Sequence, residues 1–282
     1  MTSGSRNCGE LSVGVWRFGH RGGWPLIWCH GGLSCGADAA LLDAAARRHG
    51  ADVIAIDRPG IGRSSPKHVA TVASWSSVVG QVADGLHLNE FAVAGWSAGG
   101  PYALACAAAM PERVRQAATL AGMAPLDGFR DVARLGLWAD VVLIPAASRQ
   151  PRLASALLRL ARMLPDRFFR WEVLRSAGTR DREALQDSVS DLVLAVREAT
   201  NAGVYGTVDD YRRFGGPWGL DLDTINQHVT IWHGRQDTLA PLSHAERLHN
   251  ALNNSTLRIV ASTGHYLPAV IADQVIAELA PS

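Results

Sequence analysis

The sequence predicts an α/β fold: a mostly parallel sheet flanked by helices and interrupted late in the chain by a helical insertion. Three observations lead there. Short β-compatible runs alternate with helical ones as far as Leu120, the strand signal is then lost from about Met123 to Gly219, and it returns only at Val229–Trp232 and Leu257–Val260. Alternation of this kind builds right-handed βαβ units, and a purely helical stretch between strands reads as an excursion from one core.

The elements follow in order. Leu11–Phe18 and Pro25–Cys29 read as strands. Ala39–His49 reads as the crossover helix, because Arg47, Arg48 and His49 stand where positive charge complements the helix dipole and Gly50 follows as a stop. Val53–Ile56 is the next strand, Val72–Leu86 the next helix, and Phe91–Ala94 the next strand. The alanine-rich run from Ala98 to Met110 has high helix propensity and is stopped by Pro111, after which Arg115–Leu120 reads as a strand. Within the insertion, helices are expected over Leu153–Leu164, Phe168–Ser176, Arg182–Thr200 and Val208–Phe214. The division is therefore core at 1–123, helical insertion at 124–219, and core again at 220–282.

Length and composition bound what the protein does. A chain of 282 residues, 48% apolar, suits one α/β core with an insertion. A net charge of +1 supplies no field to steer it to nucleic acid. All but Lys67 of the 27 basic residues are arginine, a compositional bias with no functional reading. The longest apolar run, Val141–Ala147, is far too short for a membrane span, and no apolar stretch backs the N-terminal residues as a leader would require. Cys8, Cys29, Cys35 and Cys106 lack the paired spacing of a zinc or redox site, so four reduced thiols and a cytoplasmic location are expected.

Chemistry concentrates at Gly95-Trp96-Ser97-Ala98-Gly99, between a strand and a helix. A serine hydroxyl becomes a useful nucleophile when a sharp turn holds it clear of the sheet, within reach of a base and beside backbone N–H donors. Asp237 follows the strand ending at Trp232, and His265 follows the last strand. Functional groups of parallel sheets collect at the carboxyl ends of the strands, so Ser97, Asp237 and His265 are expected to converge as nucleophile, acid and base. Asp127, past the strand ending at Leu120, is an alternative acid. The oxyanion would be held by the N–H of Ala98, at a helix N-terminus, and by that of Gly32 or Leu33 in the His30-Gly31-Gly32-Leu33 loop.

Five motifs in this order resemble the α/β-hydrolase superfamily, in its capped, esterase-like branch: His30-Gly31-Gly32, Asp57 to Ser64, Gly95 to Gly100, His233 to Asp237, and Gly264-His265. The resemblance implies an α/β-hydrolase fold with the triad in the order Ser, Asp, His, and a helical cap between the sixth and seventh core strands. It also implies that His30 and His233 bond neighbouring loops and do no chemistry. The region before Leu11 is short for that family's opening β-hairpin. Asp57–Ser64 lacks the lysine and spacing of a phosphate-binding loop and reads as a turn buttressing the His30 loop.

The expected activity is hydrolysis of a carboxylic ester of a small or medium apolar substrate through an acyl-enzyme, with no metal or organic cofactor. Ser at position 97 excludes an aspartate nucleophile. Trp96, Trp138 and Trp218 are the candidate pocket aromatics, and the basic stretch Arg149–Arg175 reads as a solvated face of the insertion. The same triad suits a lactone, thioester, amide or carbon–carbon bond, or perhydrolysis, and a ligand receptor with little turnover is the reading from another class. Oligomeric state is not written in the sequence.

Overall fold

The computed structural model describes residues 2–8 and 11–281. Its strands are β1 (Thr2–Cys8), β2 (Leu11–Gly19), β3 (Trp24–Cys29), β4 (Ala51–Ile56), β5 (Phe91–Trp96), β6 (Val114–Leu120), β7 (Val229–Gly234) and β8 (Ser255–Val260). They form one sheet in the order β1-β2-β4-β3-β5-β6-β7-β8. β2 runs antiparallel to β1 and β4, and all other neighbours are parallel. The opening hairpin, expected to be curtailed, is complete, with register running from Thr2↔Arg17 to Cys8↔Leu11. β1 escapes sequence patterning because its described side chains, Ser3 to Arg6, are all exposed and backbone pairing holds it.

The helices of the first half are α1 (Asp43–Arg48), α2 (Ser76–Gly85) and α3 (Gly100–Ala109). Between β6 and β7 lie α4 (Gly128–Val132), α5 (Trp138–Arg149), α6 (Pro151–Ala161), α7 (Asp166–Ser176), α8 (Thr179–Ala184), α9 (Val189–Ala199) and α10 (Tyr205–Phe214); α11 (Leu242–Ala251) and α12 (Leu267–Leu279) complete the chain. The run expected as one helix over Arg182–Thr200 is two, α8 and α9. The break has a local cause, because the Asp181 carboxylate accepts the Gly178 N–H at 3.1 Å and opens α8 early, before the period of α9 begins. Sequence patterning does not mark α5, since Pro145 lies inside it, nor α4, α11 and α12.

Two apolar clusters sandwich the sheet. One gathers Trp16, Trp28, Trp96 and Trp232 with α9 and α12; the other gathers Trp75 and Tyr102 with α2, α3 and α11. A third, smaller cluster joins Leu143, Ile144, Leu158 and Phe214 of the inserted helices to Ala98 and Met123 at the carboxyl edge of the sheet. Burial at roughly 25 cal/mol per Å² of apolar surface makes that shared cluster the seat of the insertion. No helix among the described residues is long and apolar enough to cross a membrane.

The chain winds from β3 outward to β4 and then resumes at β5 on the other side of β3. The strand order therefore reverses between β3 and β5, the place where open parallel sheets form a crevice. Cys29 pairs with Gly95, so the His30–Leu33 loop emerges beside Ser97. Gly234 pairs with Val260, and the loops carrying Asp237 and His265 leave the same edge together.

Candidate active site

The turn at Ser97 is enforced sterically. Ser97 has φ of 54°, a left-handed conformation uncommon for a residue with a Cβ. A Cβ at Gly95 would stand 2.2 Å from the Gly99 carbonyl oxygen, and one at Gly99 would stand 2.1 Å from that of Cys29. Both glycines thus permit contacts that no other residue allows, and α3 starts directly behind the serine.

Asp237 is buried and fully engaged. Its Oδ1 accepts the N–H groups of Leu239 and Ala240 at 2.8 and 2.9 Å, and its Oδ2 lies 2.9 Å from His265 Nδ1. Burial pushes its carboxyl up, but the His265 charge and hydrogen bond, with those backbone donors, outweigh it and hold the group below its usual range. For His265, burial acts downward and is outweighed by Asp237, so the imidazole is more basic than an ordinary histidine. An ionised Asp237 fixes the proton on Nδ1 and leaves Nε2 as the basic nitrogen.

His265 shares a cavity of about 150 Å³ with Ser97, Ala98, Gly32, Leu33 and Trp96. Leu33 has φ of 48°, a second left-handed residue at this crevice, and the N–H groups of Gly32 and Leu33 meet no acceptor among the described residues. Trp96 donates its indole N–H to the His265 carbonyl at 2.8 Å, and its ring lies 5.6 Å from the imidazole. Asp127 is exposed at the start of α4, with its N–H on Asp131, and takes no part in the site.

Of the other two candidate tryptophans, one lies beside this cavity and one outside it. Trp138 is half exposed and lines a second cavity of about 110 Å³, beside the first. Trp218 lies outside both; it is buried in the cluster around Trp75, with its indole N–H on the Phe214 carbonyl at 3.2 Å and its own carbonyl accepting the Ala73 N–H. The chain leaving α10 uses Trp218 to anchor itself to the core, which removes the ring from the crevice.

Three further groups hold the site in shape, the first of them in the Asp57–Ser64 turn expected to buttress the His30 loop. Arg58 donates to the carbonyls of His30 and Gly31 at 2.7 and 2.8 Å, and is gripped by Asp210 of α10 at 2.9 and 2.8 Å. Burial opposes ionisation of Asp210, but the charges of Arg58 and Arg213 prevail and keep it an anion. Asp38 receives the Gly31 N–H, the Ser34 hydroxyl and the Trp28 indole, fixing the same loop from beneath. Asp181 of α8, wholly buried, accepts the N–H groups of Gly264 at 3.0 Å and Tyr266 at 3.2 Å, one on each side of His265. His30 and His233 are buried and bonded to backbone, His30 to Gly31 O and the Arg58 N–H, His233 to Ala240 O. Burial holds both imidazoles neutral.

Comparison with known proteins agrees with this architecture. Residues 25–269 match the family described as alpha/beta hydrolase fold. A dihydrolipoyllysine-residue acetyltransferase component of an acetoin cleaving system from Cupriavidus necator is 29% identical over 215 residues, 76% of this chain and 51% of that protein, so the chain spans about half the length of this relative. A 2-hydroxy-6-oxo-2,4-heptadienoate hydrolase from Pseudomonas putida is 24% identical over 250 residues, 87% of this chain and 83% of that one. Among solved structures, the epoxide hydrolase CorEH superposes with a TM-score of 0.76 at 18% identity, covering 98% of this chain and 96% of its own. An esterase from Exiguobacterium antarcticum does so at 0.69 and 18%, covering 95% and 96%. At such identities the superpositions speak for the fold, and the family match for descent: the chain belongs to the alpha/beta hydrolase fold family.

Proposed function

We propose that the protein hydrolyses a carboxylic ester of a small or medium apolar substrate, with Ser97 as nucleophile, His265 as base and Asp237 as its anionic partner. The observation that carries this reading is the 2.9 Å contact of His265 Nδ1 with a buried, ionised Asp237, on an imidazole that lines one cavity with a left-handed Ser97. In the mechanism, His265 Nε2 takes the Ser97 proton as Oγ adds to the ester carbonyl. The oxyanion is held by the N–H of Ala98 and that of Gly32 or Leu33, and His265 returns the proton to the departing alcohol. Water, activated by the same nitrogen, then releases the acid. Residues 124–219 serve as the cap over a core made by 1–123 and 220–282.

The size of the crevice supports the substrate class. A cavity of about 150 Å³ is the room a benzene ring occupies in a protein interior. The neighbouring cavity of about 110 Å³ shares Leu33, Leu137, Phe169, Glu172 and Val196 with the first, so a ring-sized or short acyl group has apolar space to extend into. Three buried, unpaired thiols, Cys29, Cys35 and Cys106, suit a reducing cytoplasm; the Cys8 side chain lies outside the described ones.

The test is intact-protein mass after exposure to a fluorophosphonate, with Ser97→Ala alongside, followed by a p-nitrophenyl ester series of increasing acyl length. One adduct on the parent and none on the variant is expected, with turnover peaking at medium acyl length. An unlabelled parent, or a variant that keeps turnover within a few fold, overturns the mechanism.

A further inference from the structure

The cavity above Ser97 is apolar on most of its wall, yet the inserted helix α5 sends a carboxylate into it. Asp140 lines the cavity together with Ser97 and His265. One of its oxygens, Oδ1, accepts the Tyr211 hydroxyl at 2.6 Å; the other accepts no hydrogen bond from any described residue. A carboxylate in an apolar chamber is unfavourable unless something offsets it, and a single phenol offsets only part. The arrangement has no place in the triad chemistry, because His265 already has its anionic partner in Asp237.

We propose that Asp140 is a specificity-determining residue that reads a hydrogen-bond donor, a hydroxyl or an ammonium group, on the acyl part of the substrate and turns away carboxylates. This rests on the hydrolase reading above for the place of the acyl group. The charge inventory around Asp140 favours it. Facing groups are Tyr211 from α10, His265 from the loop after β8, and Glu172 from α7, the last already paired with Arg175 at 2.5 Å. No arginine or lysine lines this chamber, Arg162 and Arg197 lining only the neighbouring one, so a carboxylate held beside Asp140 would meet an acid and no cation of the same wall. Burial lifts the Asp140 carboxyl, the Tyr211 hydrogen bond and the His265 charge draw it back, and it comes to rest at about 6; above that pH it is an anion with one free acceptor. The Tyr211 hydroxyl lies close to the loop after β3, since a Cβ on Gly32 would be 3.9 Å from it. Asp140 and Ser97 line the same chamber of about 150 Å³, so one small acyl group reaches both.

The experiment uses four p-nitrophenyl phenylacetates, unsubstituted or carrying a ring hydroxyl, ammoniomethyl or carboxylate group, with the parent protein, Asp140→Asn and Tyr211→Phe at pH 8. In the parent, kcat/KM for the ammoniomethyl and hydroxyl esters should exceed that for the carboxylate ester by about 10- to 100-fold, the worth of one hydrogen bond to a charged acceptor. In Asp140→Asn that ratio should collapse to within a few fold, mostly through KM, whereas Tyr211→Phe, which leaves the carboxylate in place, should keep it. Binding of the four corresponding phenylacetamides by calorimetry reads the same preference without catalysis. Fluorophosphonate labelling of Ser97 separates the outcomes: labelling with an unchanged ratio in Asp140→Asn, in rates and in binding, overturns the role of Asp140 alone. Absence of labelling and turnover overturns the hydrolase reading, and the calorimetry then decides Asp140 by itself.

Discussion

Asp181→Ala tests whether the inserted helices hold His265, the base of the proposed mechanism, in place. The carboxylate accepts three buried backbone N–H groups, from Gly178 at 3.1 Å, Gly264 at 3.0 Å and Tyr266 at 3.2 Å. Leaving one buried donor unsatisfied costs about 1 to 3 kcal/mol, so three cost about 3 to 9 kcal/mol before relaxation or entering water recovers part. A net loss of about 3 to 5 kcal/mol is expected, a large share of the 5–15 kcal/mol that holds a typical domain. Asp181→Asn keeps one acceptor oxygen and should lose about 1 to 2 kcal/mol, which leaves a folded protein to assay. Two of the three donors flank His265, so even in Asp181→Asn the imidazole should lose its aim. A displacement of about 1 Å at a reacting group is worth about a hundredfold in rate. The assays are urea denaturation and the rate of fluorophosphonate labelling at Ser97. Stability lost with labelling at the parental rate would refute the positioning argument and leave Asp181 a purely structural acid. No change in either would refute the hydrogen bonds themselves.

Further outcomes follow from the same geometry. In the proposed mechanism His265 acts as base only when neutral, and its folded pKa is raised, so kcat/KM should fall as pH drops through a value above the ordinary 6.5. Asp237→Asn should move that limb to lower pH and lower kcat by about 10⁴, as a pH–rate profile will show. The same raised pKa makes the imidazolium–Asp237 pair a stabilising contribution that is complete below pH 6.5 and lost as pH rises through the folded value, whereas the lowered Asp237 pKa contributes stability that is lost only in acid, below 3.8. Parallel melting curves for the parent and His265→Gln across both windows check the signs. Gly99→Ala places a methyl 2.1 Å from the Cys29 oxygen and should lower stability by about 3 kcal/mol or prevent folding, measured by urea titration. Trp218→Ala should lower stability by about 3 to 5 kcal/mol while leaving the acyl-length preference where it was, since the ring belongs to the core beside Trp75.

What was legible in the sequence is what local rules write. The inner strands β4 and β5 carry continuous apolar runs because they are buried on both faces, and the elbow carries glycines because no Cβ fits between β5 and α3. His265 and Asp237 were legible because they follow strands that end on one edge. β1 was invisible because its described side chains are solvated, and α5 because of Pro145. The pocket was the least legible part: Trp138 and Trp218 have the chemistry of a lining residue, but only the path of the chain after α10 decides which cavity, if any, each one meets. Asp140, Asp181 and Asp210 look like ordinary acids on helical faces, and nothing in their neighbours' identity shows that the partners lie in distant loops. Asp210 reaches Arg58 across 152 positions.

That last pair has an engineering consequence. Grafting a foreign set of inserted helices onto this core, a natural way to change its substrate range, would also remove the acid that neutralises Arg58, a guanidinium only 1% exposed. The orphaned cation would pull away from the His30 and Gly31 carbonyls, and the transplant would disturb the backbone beside Gly32 without touching a residue of the sheet. In this chain the insertion and the loop after β3 form one inheritable unit, and a donor segment must bring its own carboxylate to the place of Asp210.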